Sequence, residues 1–152
     1  MKTKQIDGSP RTWVLVFEAG DEVMAGLERF AREEGLDASR ISAIGAFERA
    51  TLGYFDRARK DYERIAVDEQ VEVLSLLGDI TREGGTGDKP VVHLHTVLGR
   101  RDGSTVGGHL LDAVVWPTLE VMLEEAPAHL KRRHDPGSGL ALIALDGGSA
   151  RA

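Results

Sequence analysis

The sequence predicts a single α+β domain in which one helix near the N-terminus is followed by a long succession of strands. Three observations predict it. The chain has 152 residues, the length of one domain, and such a chain buries roughly two-thirds of its unfolded surface. Only residues 21–35 combine a helical apolar period with start and stop signals. Beyond them, short runs of β-branched and aromatic residues recur between glycine, proline and aspartate.

Taken in order, Thr12–Glu18 is dense in Trp, Val and Phe and reads as a strand. Asp21 is the candidate cap of the helix that follows. Val23, Leu27 and Phe30 share one face of it, Glu28 and Arg32 are four residues apart, and Gly35 stops it. Residues 40–47 and 50–55 read as a strand interrupted at Glu48-Arg49, with a bulge expected near the glycines. Residues 62–67 and 70–80 are two further strands, and 82–90 is a loop by composition. Residues 91–98 and 105–115 flank Asp102-Gly103, the dipeptide of a tight hairpin turn. Trp116-Pro117 is expected to break that ladder, because proline cannot donate to it. Residues 118–125 suit strand or helix, and strand is preferred because Leu119, Val121 and Leu123 alternate with Glu120, Met122 and Glu124. Residues 140–145 form a last apolar strand. The divisions are a polar segment at 1–11, a domain at 12–146 and a flexible tail at 147–152.

Composition narrows the function. There is no cysteine, which excludes disulfides, thiolate metal sites and cysteine nucleophiles. Imidazole and carboxylate are the remaining donors for a transition metal. The formal net charge of −6 argues against a strong general affinity for nucleic acid. The first ten residues carry no apolar signal core, and the longest apolar run, 140–145, is too short to span a bilayer. A cytoplasmic protein with no membrane partner is the expectation. No phosphate-binding loop and no Gly-x-Ser-x-Gly elbow is present.

The chemistry concentrates in three histidines. His93 and His95 are two apart on a predicted strand, so their side chains share a face at roughly 7 Å. His109 follows Gly107-Gly108 on the strand across the Asp102-Gly103 turn, where a third imidazole can reach the same face. Three neutral imidazoles with an open fourth position suit zinc and other divalent ions. Without the third histidine, a His-x-His pair is equally well explained as a polar strand face. His129 and His134 read as surface residues. Arg57, Arg59, Lys60 and Arg64 are diluted by acids, whereas Lys131-Arg132-Arg133 is a denser basic cluster able to touch phosphate or a partner.

Ile44-Gly45-Ala46, 52–56, 72–77 with Gly78, His93-Leu94-His95 and Asp102-Gly103 with Val106-Gly107-Gly108-His109 occur in an order that resembles the PPC domain (plants and prokaryotes conserved domain). The likeness runs from about Trp13 to Arg133. It implies a curved, largely antiparallel sheet with one main helix packed against it, and a homotrimer. It implies that His93, His95 and His109 are metal ligands, zinc being the divalent ion the donor set suits best. It also implies a DNA-binding or transcription-associated role, through DNA or a protein partner, and the acidic balance makes weak DNA binding the expectation. Two departures stand out. No Arg-Gly-Arg-Pro hook for the minor groove occurs, and Asp79 stands where the resemblance implies asparagine. The alternative function is a metal-dependent enzyme using the open coordination position, with Glu48, Asp56 or Glu72 as general base.

Overall fold

The computed structural model describes residues 1–6, 10–83, 89–126 and 130–144. Its elements are β1 (Lys2–Ile6), β2 (Thr12–Glu18), α1 (Val23–Glu33), β3 (Ser39–Asp56), β4 (Asp61–Val67), β5 (Val71–Glu83), β6 (Pro90–Gly99), β7 (Thr105–Glu125), β8 (Lys131–His134) and β9 (Ala141–Ala144). All the strands join one sheet. β3 pairs with β5, β5 with β6, β6 with β7 and β7 again with β3, every pairing antiparallel, so the sheet curls until its ladder closes on itself. The parallel pairing among the described residues joins β8 to β5. Among the described residues no helix is long and apolar enough to cross a membrane.

The closure depends on two long, bent strands. β3 is continuous through Glu48-Arg49, and its register slips instead, between Ala43 and Gly45 toward β5 and at three points toward β7. Bulges of this kind raise the local twist without ending a strand. They let the first half of β3 face β5 while its second half turns to β4. At Gly45, with φ +149°, an added Cβ would strike the backbone of Thr118 and Leu119, so the bulge can form only around glycine. Pro117 behaves comparably. The pairing with β3 jumps from Gly45–Leu119 to Phe47–Val115, leaving 116–118 out of that ladder, but β7 stays extended through it. The expected break is therefore a skipped register. Beyond it, Leu119, Val121 and Leu123 are fully buried and pair along β2, as the alternation required.

Helix α1 buries Val23, Leu27 and Phe30 against β6 and β7, and Gly26 makes room for the Phe17 ring. Gly35, at φ +64°, ends it. Asp21 is not its cap, a correction to the sequence reading. Glu22 occupies that position without a side-chain bond, while the Asp21 carboxylate accepts from the Glu18 N–H and pairs with the N-terminal amine at 2.8 Å. A hydrogen bond across the β2–α1 turn competes directly with capping.

Two strands were not legible. β1 adds to the edge of β2 through backbone pairing, which needs no apolar pattern. β8 is a four-residue run of basic residues, of which only Arg132 turns inward. The expected last strand is β9, at an exposed edge. Residues 84–88, His129 and the 147–152 tail lie outside the described residues.

The core supplies a direct check. Phe47 is fully buried, whereas Tyr54, seven residues along the same strand, is 66% exposed. Phe47→Ala is expected to cost about 3–5 kcal/mol of folding free energy, and Tyr54→Ala to stay within about 0.5 kcal/mol. Urea denaturation of the two variants measures both.

Candidate metal centre

The strand register builds the site. Asp102-Gly103 closes the β6–β7 hairpin: Gly103 takes φ +84°, and the Asp102 carboxylate accepts from the Ser104 N–H at 2.9 Å and its hydroxyl at 2.6 Å. That turn sets His95 directly opposite His109. Along β6, Val92, Leu94, Thr96 and Leu98 point into the core, so His93, His95 and Val97 necessarily face outward. On β7 the buried neighbour of His109 is Leu110, which turns the imidazole to the same outer face.

Glycines let the strands approach. A Cβ on Gly107 would sit 2.9 Å from the Thr96 carbonyl oxygen, and one on Gly108 would sit 2.9 Å from that of Gly53. Gly78 lies against the His93 carbonyl still more closely. Gly53 also leaves space for the Tyr62 ring, which stacks on His109 with centroids 4.8 Å apart and planes 25° apart. Side chains at these positions would push the histidine-bearing strands outward.

One donor nitrogen from each of His93, His95 and His109 falls within 4.8 Å of the others. The three ring centroids lie 5.0 to 5.3 Å apart. The Nε2 atoms of His93 and His95 are 3.2 Å apart, a spacing at which two bare lone pairs repel and a shared proton or cation attracts. His109 Nδ1 is buried with no hydrogen-bond partner. Buried polar atoms are rarely left in that condition, and the three-imidazole donor set matches a divalent ion. The residues therefore fit a metal, and they are the three read from the sequence.

Behind His93 lies a half-buried ion pair. Arg132, 8% exposed, donates through Nη2 to Asp79 Oδ1 at 2.7 Å and through Nε to the Thr81 hydroxyl at 2.9 Å. Its Nη2 is also 3.1 Å from His93 Nδ1, and Asp79 Oδ2 is 3.5 Å from that same nitrogen. Burial alone would raise the Asp79 pKa, but hydrogen bonds from His93 and Arg132 outweigh it and hold the carboxyl below the usual range. Burial lowers His95, helped by the charge of His93. Burial also brings His109 down to about 4, aided by His93, His95 and Arg132. Neutral imidazoles are the form that ligates.

Nothing in the sequence marked Arg132 as internal, because its neighbours Lys131 and Arg133 are exposed and equally basic. The expected Lys131-Arg132-Arg133 surface cluster thus loses its central charge. His134 is exposed, as read. None of the suggested general bases is among the residues that contact the histidine cluster or line the hollow beside it. Glu48 pairs with Arg49 at 2.7 Å, Asp56 accepts from the Ala58 and Arg59 N–H groups, and Glu72 lines a cleft with Glu69 and Arg100. A hollow of about 280 Å³ beside His95 is lined by Ser75, Leu77, Thr96, Val97, Gly107 and Gly108, without a carboxylate.

Known proteins share this fold. The model of the Plants and Prokaryotes Conserved (PCC) domain matches residues 4–127. A metal-containing protein from Archaeoglobus fulgidus is 32% identical with a TM-score of 0.81, covering 95% of this chain and 99% of its own. A plant- and prokaryote-conserved (PPC) protein from Pyrococcus horikoshii is 28% identical, TM-score 0.81, with 95% of each chain covered. A candidate DNA-binding protein from Bacteroides thetaiotaomicron is 27% identical, TM-score 0.84, covering 93% of this chain and 96% of that one. Among curated proteins, the bifunctional protein GlmU of Synechococcus sp. (strain JA-3-3Ab) is 33% identical over 135 residues, 87% of this chain, and the match spans only 20% of that relative's length.

The depressed His109 gives a pH signature to protein stripped of metal. The unfolded chain takes up this proton near 6.5 and the folded chain only near 4. Between those values the unfolded state binds more protons, so stability contributed by neutral His109 is complete above about pH 6.5 and declines as pH falls toward 4. Denaturation midpoints in chelator at pH 7.5, 6, 5 and 4 are expected to fall more steeply for wild type than for His109→Gln.

Proposed function

The chain belongs to the Plants and Prokaryotes Conserved domain family, and from that premise we propose that it is a trimeric metal-binding protein, its divalent ion held by His93, His95 and His109. The convergence of three donor nitrogens within 4.8 Å carries the reading. Zinc is the preferred ion, because three imidazoles and no thiolate suit it well and its tetrahedral preference leaves one position open. A bound divalent ion would supply a fixed positive centre at the outer face of the sheet. His109 Nδ1 and the facing Nε2 atoms of His93 and His95 are the groups it would satisfy.

The role we assign is regulatory, through protein contacts or weak DNA binding. With Arg132 turned inward, Arg59 near Glu63 at 3.4 Å and Arg64 bonded to Asp112 at 3.0 Å, no dense basic stripe remains among these groups. Any hold on phosphate is correspondingly weak and salt-sensitive. The hollow beside His95 has no carboxylate to act as general base, which favours binding over a metal-dependent enzyme. A trimer is supported by the outer face, where Leu77 is 58% exposed, Ile44 62% and Leu74 54%, with Val97 and Met122 also uncovered.

Two measurements test this. Chelator is expected to lower the melting point of wild type while leaving His93→Ala, His95→Ala and His109→Ala unmoved; binding to the native state alone adds about 2.7 kcal/mol at a hundredfold excess over Kd. Four proteins that melt alike and carry no metal would refute the metal centre. Analytical ultracentrifugation should give a trimer that binds labelled duplex only at low salt. A monomer across micromolar concentrations, or nanomolar duplex binding near physiological salt, would overturn the assembly or the weak-binding reading respectively.

A further inference from the structure

We propose that Asp79, clamped by Arg132, is a positioning residue that selects the tautomer of His93 and thereby sets how tightly the metal centre binds. The inference rests on the metal reading above and assigns a role to two residues outside the ligand set. The geometry is specific. Arg132 is 8% exposed and spends its donors on Thr81 Oγ1, the Ala141 carbonyl oxygen and Asp79 Oδ1, so neither it nor Asp79 is free to turn away. Against this clamp lies His93 Nδ1, 3.1 Å from Arg132 Nη2 and 3.5 Å from Asp79 Oδ2.

Those two neighbours demand opposite tautomers. A guanidinium has donors and no acceptor, so Arg132 can serve Nδ1 only when that nitrogen carries a lone pair. The ring proton then sits on Nε2, where it can be given to His95 Nε2, 3.2 Å away. Both short contacts suit this tautomer, in which His93 cannot ligate through Nε2. A carboxylate is the reverse. Asp79 can only accept, so it holds the tautomer with the proton on Nδ1 and leaves the Nε2 lone pair facing the cluster. The ring keeps a single proton throughout: the one on Nε2 is lost to solvent, and another is taken from solvent on Nδ1. Asp79 Oδ2, at 3.5 Å, is the acceptor in position to receive it. A carboxylate behind a ligating imidazole orients the ring and raises its basicity, and losing such a partner costs 10- to 100-fold in metal affinity.

The test uses the full chain and zinc alone. Zinc affinity is read by competition with a chromophoric chelator, and the His93 ring nitrogens are read by long-range ¹H–¹⁵N spectra. Asp79→Ala is expected to weaken zinc binding by about 10- to 100-fold, and Asp79→Asn, which keeps an acceptor oxygen and a partner for Arg132, to recover most of it. In wild type the His93 proton should sit on Nε2 without zinc and on Nδ1 with it. Should Asp79→Ala fail to fold, the wild-type spectra decide. An Asp79→Ala variant that binds zinc as tightly as wild type, or a His93 tautomer that zinc leaves unchanged, overturns the inference while the metal centre stands. A wild-type protein that takes up no zinc removes both.

Discussion

The register of the β6–β7 hairpin is the constraint from which the outer face of this protein follows. Because side chains alternate with a period of two, pairing His95 with His109 commits Leu94 and Leu110 to the core and sends three imidazoles to the other side. A slip of one residue would exchange the two sets. It would bury histidines and expose leucines, at a cost of several kilocalories per mole for the leucines alone. The Asp102-Gly103 turn and the core therefore enforce the same register from opposite ends of the hairpin. The site inherits its precision from hydrophobic burial rather than from any attraction between the histidines.

Close backbone approach is the second requirement. Gly53, Gly78, Gly107 and Gly108 all lie where an added Cβ would press on a neighbouring strand or ring. Glycine weakens a strand by itself. Its repeated use around one patch means that strand propensity has been yielded locally so that β3, β5, β6 and β7 can draw together there. The compensation comes from long, continuous pairing on either side.

The half-buried Arg132–Asp79 pair follows a different logic. An ion pair drawn partly out of water contributes little net stability, because desolvation offsets the attraction between its members. Its value lies in direction. Each guanidinium nitrogen has a fixed partner, and the carboxylate is left with one oxygen turned toward His93. Next to the site, the apolar surface of Leu77, Val97 and Met122 has the opposite character, uncovered and without polar partners. A clamped ion pair behind the imidazoles and apolar area exposed beside them give the centre a fixed back and an open front.

The sequence by itself determined a helix between Asp21 and Gly35, all the strands but β1 and β8, the hairpin turn and the placing of His93, His95 and His109 on one face. These are local quantities: an apolar period, a turn dipeptide and an i, i+2 spacing act over a few residues. Tertiary structure alone decided that β3 stays whole through Glu48-Arg49, that β7 passes Pro117 by skipping register, and that Asp21 closes a turn instead of capping the helix. It also decided that Arg132 turns inward between two exposed basic residues, and that β1 joins the sheet. Each of these is settled by which strand lies alongside, and backbone pairing across a hundred residues leaves no mark in composition. Asp79 stood in plain view as a single charged residue near a strand end, and only the arrival of Arg132 from β8 gave it a partner and a direction.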